Sequence, residues 1–228
     1  MKSILFLYGL LGVLSYAFSQ EAELKIKPKP VSINRYYEIV NEPFIFEDYV
    51  PCQLTETKSR KTYTAELRFN GYSGDFELLI DGKIYELDSY YYLKISMPVG
   101  TLTDIIPEKY ISDTLHFIRG IHPTDFDRFY ISLYQSDRIN IIKSIEIDLV
   151  ERQLTDTGQG VQRKLFFPRF YYFYIKNGQA ETMLLTKGSV QKAFGGDKRI
   201  TAYIKENKLK VNNEKELMQV INYYESLD

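Results

Sequence analysis

The chain has 228 residues, 44% of them hydrophobic, and 29 Lys and Arg against 30 Asp and Glu give a net charge of −1. That apolar share is ordinary for a chain that buries a core. Acid and base are interleaved, so there is no basic stripe to hold nucleic acid, and the average charge gives no basis for an electrostatic membrane-surface role.

The first twenty residues carry an address. Lys2 leads into an apolar run from Ile4 to Phe18, and Ala17 and Ser19 place small residues three and one positions before a cut at Gln20. This is the layout of a secretory signal peptide. The run falls short of the roughly 20 apolar residues a membrane-spanning helix needs. No later stretch is expected to span either, since the apolar run 165–175 is broken by Pro168 and Arg169. The single cysteine, Cys52, excludes an intramolecular disulfide and lies far from the start of a mature chain, where lipidation would require it. It reads as a buried, inert thiol.

Residues 20–60 show no sustained period. Lys27-Pro28-Lys29-Pro30 favours an extended lead-in, punctuated again by Pro43 and Pro51, with Phe44-Ile45-Phe46 pinned to the core. From residue 61 the pattern turns to β. Tyr63, Ala65, Leu67 and Phe69 share one face of a strand over 62–70, and Gly71-Tyr72-Ser73-Gly74 makes a turn. Asp81-Gly82 predicts a two-residue hairpin in which Ile80 faces Lys83, Leu78 faces Tyr85 and Phe76 faces Leu87.

Further strands are expected over 90–97, 115–118, 128–134 and 139–150. In the last, Ile139, Ile141, Ile145, Ile147 and Leu149 share a face interrupted only by Lys143. Residues 154–164, rich in Thr, Gly and Gln, read as an exposed loop. Asn177-Gly178 predicts a second hairpin, with Phe173 facing Thr182 and Ile175 facing Ala180. Pro168 belongs at a strand's start or on an edge.

From Gly188 the period becomes helical. Ser189 is expected to cap a short turn ended by Gly195-Gly196, and Asp197 a helix presenting Ile200, Tyr203 and Ile204. Asn213 with Glu216 resembles a capping box, followed by a Leu217, Val220, Ile221, Tyr224 stripe.

The predicted fold is therefore mainly β (α+β). It is an antiparallel sheet, sandwich or partly open barrel built of hairpins, with a C-terminal helical pair packed on it. The organisation is a signal peptide (1–19), an extended segment (20–60), an antiparallel β domain (61–187) and a helical appendage (188–228).

The ending, with Ile204-Lys205-Glu206-Asn207-Lys208-Leu209 and Tyr223-Tyr224-Glu225-Ser226-Leu227, resembles that of uncharacterised secreted proteins of Bacteroidetes bacteria. The stretch from Leu67 to Leu87 is similar to the sheet segment that precedes it there. The resemblance covers the last 60 residues and about 40 more loosely. It implies an envelope location, periplasmic, outer-membrane-associated or extracellular, and carries no catalytic residues.

Both histidines, His116 and His122, lie in one polar stretch with Asp125 and Asp127 close behind. His122, Asp125 and Asp127 from a single loop form a candidate metal set, the basis of a metal-dependent hydrolase reading. The spacing matches no metalloenzyme signature, and His-Pro-Thr-Asp is also an ordinary turn composition. His116, in a strand, reads as structural. No Gly-x-Ser-x-Gly elbow is present. Gly195-Gly196-Asp197-Lys198 lacks phosphate-loop spacing and reads as a helix break. Tyr90-Tyr91-Tyr92 and Tyr171-Tyr172 offer a stacking platform for a carbohydrate-binding module. The leading expectation is a non-enzymatic accessory or binding protein whose partner is another envelope protein, acting through its sheet surface or the 151–164 loop. No cofactor is expected.

Overall fold

The computed structural model describes residues 24–154 and 161–227. The expected leader lies outside the described residues. The strands are β1 (Val50–Glu56), β2 (Thr62–Asn70), β3 (Asp75–Ile80), β4 (Lys83–Glu86), β5 (Tyr92–Pro98), β6 (Thr114–Arg119), β7 (Phe129–Gln135), β8 (Asn140–Leu154), β9 (Val161–Lys176) and β10 (Gln179–Met183). Among the described residues they form one antiparallel sheet in the order β10-β9-β8-β7-β6-β5-β1-β2-β3-β4. Three helices follow: α1 (Lys187–Ala193), α2 (Lys198–Glu206) and α3 (Glu214–Glu225). No described helix is long and apolar enough to cross a membrane.

Both predicted hairpins form in the predicted register. Ile80 pairs with Lys83 and Leu78 with Tyr85, and Ile175 pairs with Ala180 and Phe173 with Thr182. Their turns put both central residues at positive φ: Asp81 and Gly82 at 49° and 72°, Asn177 and Gly178 at 52° and 72°. Those angles suit the right-handed twist of the flanking strands.

The 20–60 stretch is more than an extended lead-in, because β1 inserts between β5 and β2 with Val50, Cys52 and Leu54 buried. Pro51 is tolerated because β5 pairs with β1 only from Gln53 onward. Phe44, Ile45 and Phe46 are buried, as expected.

The sheet is open, its end strands unpaired with each other, yet it curls strongly. Ile147 of β8 donates its N–H to the Gly71 carbonyl at 3.0 Å, closing β8 onto the β2–β3 turn. The concave face so formed holds the main core, including Leu54, Leu67, Phe69, Phe76, Ile95, Phe117 and Ile147. Closure needs a residue without a side chain at 71: a Cβ there would lie 2.7 Å from both Cγ1 and Cδ1 of Ile147. Gly71→Ala is expected to lower stability by about 1–3 kcal/mol through this overpacking. An unchanged thermal midpoint would show that the turn and β8 do not meet this closely.

A second core lies where the helices cover the same face nearer β10. It joins Ile139, Ile141, Tyr172 and Tyr174 to Ile200, Ile204, Leu217, Val220, Ile221 and Tyr224. The helical stripes are those the spacing predicts. Asp197 Oδ1 accepts from Arg199 N, and Asn213 Oδ1 from Glu216 N at 2.9 Å. The first helix is capped by Thr186, not Ser189, because Thr186 accepts the Ser189 N–H. Glu216 turns its carboxylate to Val211 N at 2.6 Å, two residues further back than a capping box requires.

Lys143 sits at the seam of the two cores. Its neighbours on the same face are Ile141, in the helical core, and Ile145, in the main core. The Lys143 side chain is fully buried, and its Nζ donates to Glu214 Oε1 at 2.6 Å and to the Tyr110 carbonyl. Tyr172 OH donates to the same Glu214 oxygen at 2.9 Å, and Ser112 Oγ to Oε2 at 3.3 Å. Burial pulls the Lys143 ammonium below its usual range against the opposing pull of Glu214, and burial and then the Glu214 charge push the Tyr172 phenol up. This contact fixes the first turn of α3 on the sheet.

Candidate functional site

β8 and β9 are two to three times the length of their neighbours. They pair with each other along their whole length, from Asn140↔Ile175 to Leu154↔Val161. On the flanks, β7 reaches only Asn140 to Lys143, and β10 reaches only Tyr172 to Lys176. From Ser144 and Tyr171 outward the two strands form an arm with no other ladder partner. Pro168 lies in that stretch, mid-strand but on its open edge, so its missing N–H leaves no ladder bond unmade. The 154–164 loop is therefore shorter than expected, because Leu154 and residues 161–164 are ladder-paired.

The base of the arm is anchored. Ile145, Ile147 and Phe166 are buried in the main core. The N-terminal segment runs along the β9 edge, with Val40 N donating to Lys164 O at 3.1 Å. Asn41 bonds Phe166 N and O at 2.7 and 2.9 Å. Beyond this anchor Glu151, Arg152, Gln153, Gln162, Arg163 and Lys164 are all exposed.

Alternation places Glu146↔Arg169, Asp148↔Phe167, Val150↔Leu165 and Arg152↔Arg163 on the convex face. Arg169 Nε pairs with Asp148 at 2.6 Å, and Arg128 Nη2 with Glu146 at 2.7 Å. Tyr171 first, then Asp148, hold the Arg169 guanidinium above its usual range. Both acids on this face therefore already have cations. Arg152 lies over the Phe167 ring, 4.5 Å from its centroid. Arg163 has no ion pair among the described residues. Near its far end the convex face thus carries two directly opposed arginines with no ion-pair partner among the described residues, and like charges directly opposite each other cost a sheet stability.

The candidate metal set does not come together. The His122 ring stacks on Tyr130 at 5.1 Å and meets the edge of Phe173, and its Nδ1 lies 3.3 Å from Thr124 Oγ1. Asp125 accepts the Tyr130 hydroxyl at 3.1 Å, and burial together with this carboxylate pushes the Tyr130 phenol up to about 12. Asp125 and Asp127 line a cleft of about 550 Å³ with Asp75, Arg128, Glu146 and Asp148, and His122 is not among its lining residues. Among the described residues no group of three or more His, Cys, Asp and Glu side chains is placed to hold a metal ion. The physical reason is local: the imidazole packs against Tyr130 in a small apolar cluster with Ile142 and Ile175, outside the cleft that the two carboxylates line.

The tyrosines do not form one flat platform. Tyr90 and Tyr91 are exposed with rings at 90° to each other, and Tyr92 is buried. Tyr172 is held inside by Glu214. A cleft of about 900 Å³ lies between β6, β7 and α3 and is lined by His116, Ser132, Leu133, Glu214 and Met218 among others. His116 Nδ1 lies 3.1 Å from Ser96 Oγ, and burial, then Lys94, lowers its basicity. The carboxylate at the back of this cleft is the one that fixes α3.

The arginine pair is not legible in the sequence, because residues 154–164 have loop composition. Without a two-residue turn to fix the register, nothing in the chain places 152 opposite 163. Comparison with protein-family models, with curated proteins and with solved structures finds no match to this chain.

Proposed function

We propose that this chain is an exported cell-envelope protein that works by binding rather than by catalysis, and that the β8–β9 arm is its binding element. Export rests on the leader at 1–19, and the envelope setting on the resemblance of the C-terminal portion to secreted Bacteroidetes proteins. The observation that carries the binding role is the arm itself. It is a two-stranded projection, and its convex face retains an unneutralised Arg152/Arg163 pair that folding alone would disfavour. Departures from local stability rules of this kind concentrate where a surface has work to do.

The test is site-specific photocrosslinking in intact cells. A photoreactive residue at Phe167, on the convex face, is expected to give a discrete adduct with an envelope component. The same residue at Thr201, exposed on α2, is expected to give none. Equal labelling from both positions, or none from Phe167, would remove the arm as the binding element.

A further inference from the structure

We infer that the convex face of the arm docks on an anionic lipid surface, with headgroup phosphates bound by Arg152 and Arg163. The inference rests on the binding role proposed above and names its partner. Three features of the face converge on this chemistry.

The first is geometry. Directly opposed residues of an antiparallel pair hold their Cβ atoms about 4.5–5.5 Å apart. Arg152 and Arg163 therefore rise from one spot on the face, within reach of one layer of phosphates, and each guanidinium fork can donate paired N–H groups to a phosphate oxyanion. The second is charge. Asp148 and Glu146 are engaged by Arg169 and Arg128, so neither of these acids competes for the pair. Beside it at the tip stand Glu151 and Lys164, opposite each other on the other face, which leaves an excess of two positive charges over these four residues. The third is the apolar floor. Val150 and Leu165, half-buried, lie between the arginine pair and Phe167 along the ladder, and the Arg152 guanidinium reaches back over the Phe167 ring, which is 38% exposed. A free phosphate ion has no use for that floor. An interface that pairs anionic headgroups with an acyl boundary matches both parts. Because no further strand flanks the arm here, the face is open to a flat partner.

The experiment is co-sedimentation of the purified protein with vesicles of phosphatidylglycerol and phosphatidylcholine, and with phosphatidylcholine alone. Binding is expected only to the anionic vesicles, weakening as salt is raised. Arg152→Gln and Arg163→Gln are each expected to weaken it about fivefold, the effect of one arginine near an anionic surface. Phe167→Ser is also expected to weaken it, and Lys205→Gln on the exposed face of α2 to leave it unchanged. Arg163→Gln should melt no lower than the parent, since it removes a like-charge neighbour and no ion pair among the described residues. Equal binding to neutral vesicles, or indifference to the arginine variants, overturns the inference. Arginine-dependent binding of inorganic phosphate without vesicle binding also overturns it, in favour of a soluble oxyanion. If Phe167 crosslinks an envelope protein while vesicles do not bind, the lipid partner falls and the arm's binding role stands. If Phe167 crosslinks nothing, that role falls first.

Discussion

Lys143→Ala is expected to destabilise the protein by about 3–5 kcal/mol, because it leaves the Glu214 carboxylate buried without its cation. For a chain of this size that corresponds to a fall in Tm on the order of 10 °C. The expectation follows from position. Lys143 is fully buried at the seam of two apolar cores, and Glu214 beside it keeps only the Tyr172 and Ser112 hydroxyls once the ammonium is gone. The paired change Lys143→Met with Glu214→Leu should behave differently. Replacing both charges by apolar groups of similar volume is often neutral or stabilising, so the double variant should recover most or all of the loss. If single and double variants melt alike, Glu214 draws its stabilisation from elsewhere and the seam is not held by this pair.

Phe76→Ala is expected to cost about 3–5 kcal/mol by emptying the centre of the main core. Phe76 is fully buried, and its ring lies 5.0 Å from Phe69, 4.9 Å from Phe117 and 5.5 Å from Phe129. The last two contacts are edge-to-face, a favoured arrangement of aromatic rings. They tie β3 to β6 and β7, strands well separated in the sheet order. Phe76→Leu should cost less, since it keeps apolar contact while losing the ring geometry. Denaturant unfolding that gives the same midpoint for Phe76→Ala and the parent would show that the curled sheet does not enclose this ring.

Much of this architecture is legible in the residues, and the limits have physical causes. Hairpins closed by Asp81-Gly82 and Asn177-Gly178 could be read to the residue, because a two-residue turn fixes the register of both strands. The α3 stripe was equally legible, since Leu217, Val220, Ile221 and Tyr224 are spaced to share one face. β1 was not, because Pro51 masks a short alternation that is completed only by β2 and β5. Lys143 stood out as a break in an apolar face, but its partner lies 71 residues away, beyond any local pattern. The candidate metal loop shows the opposite error. His122, Asp125 and Asp127 are close in sequence, yet packing on Tyr130 and Phe173 takes the imidazole out of the acidic cleft. Whole-chain charge is silent on the arm for a similar reason, since an average of −1 conceals two opposed arginines brought together by the register of a long hairpin.

The most direct test of the arm as the binding element compares photocrosslinking from Phe167 in the parent chain and in the Arg152→Gln, Arg163→Gln double variant. A discrete adduct in the parent that is lost in the double variant is the predicted result. An adduct of equal yield in both would contradict it, because the arginine pair would then play no part in what the arm binds.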